Sequence, residues 1–415
     1  MKKPVVNHTD DKQLNRDRSE KLLFICSVAV CFQGSLGVQI AVAACWLLRM
    51  LVQWVINWRN KQEDKRLGDC IFAAGIFLLP QLLIHNYTLL LVLFDKTSAQ
   101  VLTTNAATYA AIALAITSVY LFGKDTVWYV FGALALSWFL CLERSVSAYG
   151  ATVVTDAIAQ GWFGISLGHE NYLELDEVVL SIGYVVLLFL FSDKQTNKKA
   201  KPLYILLAIA FFLGFKRISV AAIALVVVCY LIIRRMKETA AYWFGIIAGC
   251  VAAVGCVAFV YVMSQGDAVF QLLEKLGIDA MARDHFYQYV MERAEFSPSF
   301  LGYGRGGVKY VMMQFYSGYT YVHSDIIKMF FELGLIPFLG WLCLNLIGIP
   351  HCFKKRYGRS AAIFYLLVTA YTFVLYLTDN TESYFTCIVI RTVMPMVFAM
   401  FSKETEKDHV KKLCP

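Results

Sequence analysis

Of the 415 residues, 59% are hydrophobic and only 16% charged, whereas soluble domains carry about half apolar and roughly a quarter charged residues; a soluble globular fold is excluded and a polytopic membrane protein indicated. The formal net charge of +8 does not signal nucleic acid, because the lysines and arginines sit in short loops between apolar runs, where they act as topology signals. No stretch beyond about sixty residues escapes the apolar runs, which is too short for most independent soluble cores.

The expected fold class is therefore all-α: one transmembrane domain of about 12 helices over residues 22–401, with tails at 1–21 and 402–415. Residues 1–20 read as a charged, disordered tail, followed by an uncleaved first helix with no signal peptide. The apolar run 22–58 is longer than one span of about twenty residues requires, and Gln33-Gly34-Ser35 with Gly37 offers a turn, so two helices are expected there. A basic loop follows (Arg59, Lys61, Lys65, Arg66), and further apolar segments lie at 70–94, 105–123, 126–142, 177–192, 203–215, 218–233, 240–263, 325–350, 361–378 and 385–401. This count puts both termini, the 59–69 loop and the basic stretches 194–201, 234–237 and 354–359 on one side, which the positive-inside rule makes cytoplasmic. Two long outer segments remain, 143–176 and 264–324. Both are too long for simple connectors and too rich in aromatic and apolar residues for disorder. The twelve cysteines include no C-x-x-C pair; they read as small hydrophobes, with neither a disulfide framework nor a zinc site.

Residues 300–341 hold the densest chemistry. Gly302, Gly304, Gly306 and Gly307 allow a tight turn that brings Arg305 and Lys309 close to another group. Ser324 or Asp325 is a natural N-cap for the apolar helix that follows, which places His323 where that helix meets water. The positive end of a helix disfavours imidazolium and keeps such a ring neutral and basic; a cap or plain surface role is the alternative. Lys216-Arg217 forms a cationic turn at the outer end of the 203–233 hairpin, and snorkelling toward lipid headgroups explains it equally well. Arg283 opens an amphipathic stretch (Phe286, Tyr289, Val290, Arg293) suited to the membrane surface. A solvated face pairing its arginines with Glu292 or Glu295 is the competing reading. In the first outer segment His169, Glu170 and Asn171 suit either hydrogen bonds to a polar ligand or, with more weight, the cap of the next helix. Lys328 and Glu332, one turn apart, are placed to pair with each other, and intramembrane Arg391 needs a partner such as Asp379 or Glu382. The sequence has no phosphate loop, H-E-x-x-H, G-x-S-x-G or acidic metal cluster in an outer segment, so metal-dependent chemistry is not the reading.

Residues 300–304, His323-Ser324-Asp325 and Glu332-Leu333-Gly334 together form a pattern that resembles the O-antigen ligase and polymerase superfamily of bacterial envelope membrane proteins: a Gly-rich turn, then His-Asn or His-Ser-Asp, then an apolar helix with Glu-x-Gly. Ser324 stands where the ligases usually have Asn, which leans the reading toward a polymerase. Arg217 matches the superfamily's Arg at the start of the corresponding helix, after Lys216 where the family has Ser. Arg283 with Tyr287 fits the family's Arg and aromatic ahead of the glycine turn, and the spacing from Arg293 to Gly304 fits polymerase outer loops. The segment containing His169 and Asn171 resembles the family's Gly-aromatic element. The likeness runs from Phe163 to about Gly340.

The resemblance implies a glycosyltransferase of the bacterial inner membrane, without metal or other cofactor, with both termini cytoplasmic and its active site facing the periplasm. The donor would be a glycan on undecaprenyl diphosphate, and the acceptor a lipid-linked repeat unit in a polymerase or the lipid A core in a ligase. It casts His323 as base and Arg217, Arg283 and Arg293 as diphosphate ligands, with Arg305 as alternate. His169, Asn171 and Asp325 become glycan contacts. Implied partners are the lipid-linked oligosaccharide, membrane lipid and a chain-length regulator protein, with no nucleic acid. The rival classes are a transporter, for which paired repeats and broken midplane helices are expected, and a structural scaffold, which needs no arginines beside a histidine.

Overall fold

The computed structural model describes residues 8–60, 65–163, 176–192, 194–214, 216–265, 271, 275, 283–315 and 321–413. Among these residues every regular element is a helix, as the long apolar runs require: in lipid the backbone must satisfy its own hydrogen bonds, and only helices and closed barrels do so. Among the described residues six helices are long and apolar enough to cross a membrane, and Val178–Phe191, Arg217–Ile233 and Phe385–Phe401 are shorter apolar helices. One of the six, Ala99–Tyr149, contains the helices Ala106–Phe122 and Thr126–Tyr149 joined by the 3-10 turn Gly123–Asp125. The protein is an all-α polytopic membrane protein.

Burial sorts the helices into a centre and a rim. Arg359–Tyr376 is 78% buried, whereas Leu36–Arg59 is 11% buried and turns Leu47, Leu48, Leu51, Val52 and Val55 outward. An apolar helix with so much exposed aliphatic surface is suited to lipid, and one so enclosed forms the core against which the others pack. Tyr371 of the central helix donates to Leu180 O at 2.8 Å, and Tyr184 and Thr372 hydroxyls bond at 2.6 Å.

Three expectations from sequence need correction. The turn at Gly34-Ser35 separates two helices as anticipated, but the first, His8–Gln33, already includes most of the stretch read as a disordered tail. Its lysines, arginines and glutamate are good helix formers and extend the apolar span by continuity. The last helix likewise runs Phe385–Leu413 into the C-terminal tail. Most consequential, the single helix expected at 325–350 is two: Asp325–Leu333, then Gly334 at φ +76°, then a span from Leu335 to Tyr357 with a π-helical turn at Leu344–Gly348. The break has a steric cause. A Cβ on Gly334 would lie 2.1 Å from Phe300 O, so the chain of the glycine-rich loop crosses where only glycine fits.

The basic loops gather at one end of the bundle. Arg66 donates to the carbonyls of Tyr120 and Leu121, Arg356 pairs with Asp69 at 3.1 Å, Ser360 bonds Glu238 at 2.8 Å, and Lys354 lies over the Tyr242 ring. At the opposite end, Tyr87 and Thr97 donate to the carbonyls of Leu301 and Tyr303. That end carries the His323 region.

Candidate active site

The site begins with a backbone crossing. Residues 300–304 run along the C-terminal turn of Asp325–Leu333: Tyr303 N donates to Phe331 O at 3.0 Å, Gly304 N to Glu332 O at 2.8 Å, and Leu335 N to Phe300 O at 3.3 Å. Carbonyls that a helix end leaves without intrahelical donors are thereby satisfied by a neighbouring loop. Tyr303 stacks on Phe331 with ring centroids 4.5 Å apart. Arg305 follows with its backbone N donating to Thr88 Oγ1 at 2.8 Å, and Gly306 N donates to Glu332 Oε1 at 2.9 Å.

His323 adopts φ +53°, a left-handed conformation that costs a non-glycine residue about 1 kcal/mol or more and persists where surroundings enforce it. The enforcement is visible. Tyr287 OH donates to His323 O at 3.0 Å, and the Ser324 hydroxyl accepts from Ile327 N as N-cap and donates to Tyr376 O. The His323 ring stacks near Phe286, and its Nδ1 lies 3.3 Å from the Asn380 side-chain amide. With the amide nitrogen toward the ring, Asn380 Oδ1 is buried without a hydrogen-bond partner. Turning the amide gives that oxygen an Nδ1–H to accept and makes Nε2 the basic nitrogen.

The turn 377–384 supplies the rest. Asp325 is fully buried: its N donates to Asp379 O at 3.1 Å, and its Oδ2 accepts from Glu382 N at 2.7 Å. Burial pushes the Asp325 carboxyl up to about 7 against the pull of Lys328, with Glu382 adding to the rise. Glu382 has the opposite outcome. Burial disfavours its charge, but Arg391 and Arg305 outweigh burial and hold it at about 2. Its carboxylate accepts from Tyr376 OH at 2.5 Å, from Gln81 Nε2 at 3.3 Å and from Arg391, and lies 3.6 Å from Arg305 Nη2. The partner of Arg391 is thus Glu382, one of the two carboxylates expected. Lys328 and Glu332 do not pair with each other: Lys328 Nζ donates to Ser383 Oγ at 2.6 Å and lies 3.7 Å from Asp325, while Glu332 faces Arg305 at 3.9 Å. Although one turn apart, the two side chains are captured by different segments.

A cleft of about 480 Å³ opens beside this cluster, lined by Arg305, Gly306, Lys309, Lys328, Glu332, Asn380 and Ser383 on its polar side and by Leu36, Val308 and Phe385 on its apolar side. Three cations and one carboxylate line it, with the Glu382 carboxylate 3.6 Å from Arg305. His323 reaches its wall through Asn380.

The residues singled out by sequence divide accordingly. Arg305, 4% exposed, and His323, through Asn380, are brought to one cleft. Arg293 is exposed at the end of the Arg283–Met291 helix and folds back, donating to Tyr289 O at 2.7 Å with its guanidinium 3.7 Å from that ring. Arg217 is the exposed first residue of Arg217–Ile233 and does not line the cleft. Arg283 begins its helix, but its side chain, like His169, Glu170 and Asn171 entirely, lies outside the described residues. Asp325 sits beneath the cleft rather than on its wall. Sequence reasoning missed Asn380 and Ser383 as site residues, and treated Lys328 only as half of a local pair. The available signal was the polar run Asp379-Asn380-Thr381-Glu382-Ser383 between two apolar spans, since polar groups at membrane depth persist where they are paired.

Residues 202–342 match a protein-family model described as O-antigen ligase, and no curated protein matches the chain. Members of this family are glycosyltransferase-like enzymes associated with bacterial membranes. The matched segment contains Arg217, Arg283, Arg293, Arg305 and His323, so this part of the chain is similar to the O-antigen ligase family.

Proposed function

We propose that the protein is a membrane glycosyltransferase that polymerises a surface polysaccharide, moving the glycan of an undecaprenyl-diphosphate-linked donor onto a lipid-linked repeat unit. The observation that carries the reading is the cationic cleft whose wall residue Asn380 holds His323. The positive-inside rule puts the gathered basic loops in the cytoplasm and the cleft, at the other end, toward the periplasm. In this reaction the acceptor hydroxyl oxygen attacks the anomeric carbon while the bond from that carbon to the diphosphate oxygen breaks. The hydroxyl proton passes to His323 Nε2, and the diphosphate leaves with the bonding electron pair. The cleft's cations stabilise the charge that builds on the leaving oxygen, in a setting where such charge is poorly screened by water. No metal is assigned a role. Arg217, Arg283 and Arg293 keep a part in recruiting the diphosphate through their positive charge.

A polymerase is preferred to a ligase because Ser324 occupies the position where ligases have Asn. A chromosomal deletion read by polysaccharide gel tests this. A single repeat still attached to lipid A core marks a polymerase, and bare core with accumulated lipid-linked polymer marks a ligase. Replacing His323 or Arg217 by Ala is expected to leave the protein in the membrane and abolish polymer; normal long-chain polysaccharide in those strains would remove the assignment. A transporter draws support from one feature, the helix broken at Gly334, which is a device of transporter sites. Against it, the break is the crossing point of the loop that builds the cleft.

A further inference from the structure

The cations of the cleft are not equivalent. Arg305 is buried, and its guanidinium is already spread over Met329 Sδ at 3.1 Å, Glu382 at 3.6 Å and Glu332 at 3.9 Å. It sets the field of the site, and its charge is balanced inside the protein by two carboxylates within 4 Å. Lys328, 8% exposed, differs. Its ammonium carries three donors and spends one on Ser383 Oγ, while the nearest carboxylate oxygen, Asp325 Oδ1, is 3.7 Å away and beyond hydrogen-bond reach. Lys309, also on the wall, is exposed. A diphosphate joining two carbons ionises once at each phosphorus, so it presents one negative charge to each of two lysines.

We propose that Lys328 is the diphosphate ligand at the base of this cleft, oriented by Ser383, with Lys309 meeting the second phosphoryl group from the rim. The assignment rests on the glycosyl-transfer reading and adds residues to it. Ser383 and Asn380 belong to one turn, with Ser383 N donating to Asn380 O at 2.9 Å. The group that holds the base and the group that orients the anion ligand therefore move as a unit, so the leaving group and the attacking hydroxyl are positioned by the same short segment.

The test is binding, separated from turnover. Purified protein in nanodiscs is titrated with undecaprenyl diphosphate and, in parallel, with undecaprenyl phosphate at fixed ionic strength, and transfer is measured on the same samples. The wild type is expected to prefer the diphosphate. Lys328→Met should weaken diphosphate binding at least about tenfold, as loss of a charge-assisted bond does, Lys328→Arg should recover part of it, and Ser383→Ala should have a smaller effect. Lys328→Met leaves Asp325 without its cation, so the double variant Asp325→Asn with Lys328→Met, which keeps the buried charge balanced, is measured alongside. Folded single or double variants that bind the diphosphate as tightly as the wild type overturn the proposal. Intact transfer with unchanged KM in those variants would remove the subsite and leave the transferase reading standing. Loss of diphosphate preference in a protein with no transfer under any condition would keep the subsite and remove the reaction.

Discussion

Glu382→Gln probes the buried charge network with almost no change of shape. In the wild type the Glu382 carboxylate, shielded from solvent, takes bonds from Tyr376, Gln81 and Arg391 and faces Arg305. Arg305 retains Glu332 in the variant, but Arg391 loses the only carboxylate it pairs with among the described residues. Breaking one side of such a pair leaves an uncompensated buried charge and costs about 3–5 kcal/mol. With an unfolding entropy of about 2.1 cal/mol/K per residue, a chain of this length loses about 3–6 °C of Tm for that cost. The assay is a thermal ramp in detergent with a thiol-reactive dye, for which the buried Cys31, Cys70, Cys141, Cys256 and Cys387 are internal reporters. Adding Arg391→Gln to Glu382→Gln should restore part of the loss, because a neutral pair replaces the stranded charge. An unshifted melt for Glu382→Gln, or a double variant worse than the single by the full cost of a second lesion, would refute the reasoning. The acid limb gives a second readout. The Glu382 carboxyl is held at about 2 against an ordinary 4.5, so its contribution is complete above pH 4.5 and lost as pH falls toward 2, a loss that Glu382→Gln abolishes.

Other expectations follow from the same geometry. Asp325 is raised from 3.8 to about 7; it favours folding while protonated, so stability declines as pH rises from 3.8 to about 7 and is level above, and Asp325→Asn flattens that slope in pH-dependent melts. The groups that set this titration are Lys328, Glu382 and Arg305. Gly334→Ala places a Cβ 2.1 Å from Phe300 O at φ +76°, so a loss of more than about 2 kcal/mol is expected, together with loss of transfer; a variant that melts like the wild type contradicts the crossing described above. Asn380→Ala should lower kcat by about tenfold or more through the lost bond to His323. Asn380→Asp should instead move the acid limb of the pH–rate profile to higher pH, since a carboxylate beside the ring stabilises imidazolium; an unmoved limb would separate Asn380 from the base.

Much of the fold was legible because lipid imposes simple rules. Length of apolar runs and placement of lysine and arginine were enough to anticipate an all-helical bundle with its basic loops gathered at one end and its glycine-rich loop and His323 at the other. The break at Gly334 was not legible. The residues around it read as one continuous apolar helix, and what interrupts them is a steric contact with Phe300, thirty-four positions earlier in the chain. The same limit governed the charges. Helical spacing pairs Lys328 with Glu332, yet three segments converge there, and Ser383 and Arg305 take the two side chains instead. Arg305 stood out as an arginine among glycines, and His323 because a histidine at a helix start there matches the family pattern. Asn380 and Ser383 gain significance only from the turn that folds back onto Asp325, which no local pattern reveals. Arg217 was chosen by family resemblance and Arg293 by its spacing to Gly304, and the structure places both on exposed surface, off the cleft wall.

The central claim is that glycan transfer occurs at the His323 cleft and needs no energy source beyond the donor's own diphosphate bond. Its most direct test is elongation by purified protein given lipid-linked repeat units in detergent, with a chelator present and no membrane gradient. The account predicts ladders of lipid-linked polymer from the wild type and none from folded His323→Ala protein. Equal ladders from both, or substrate movement across a vesicle membrane with no new glycosidic bond in either, would contradict it.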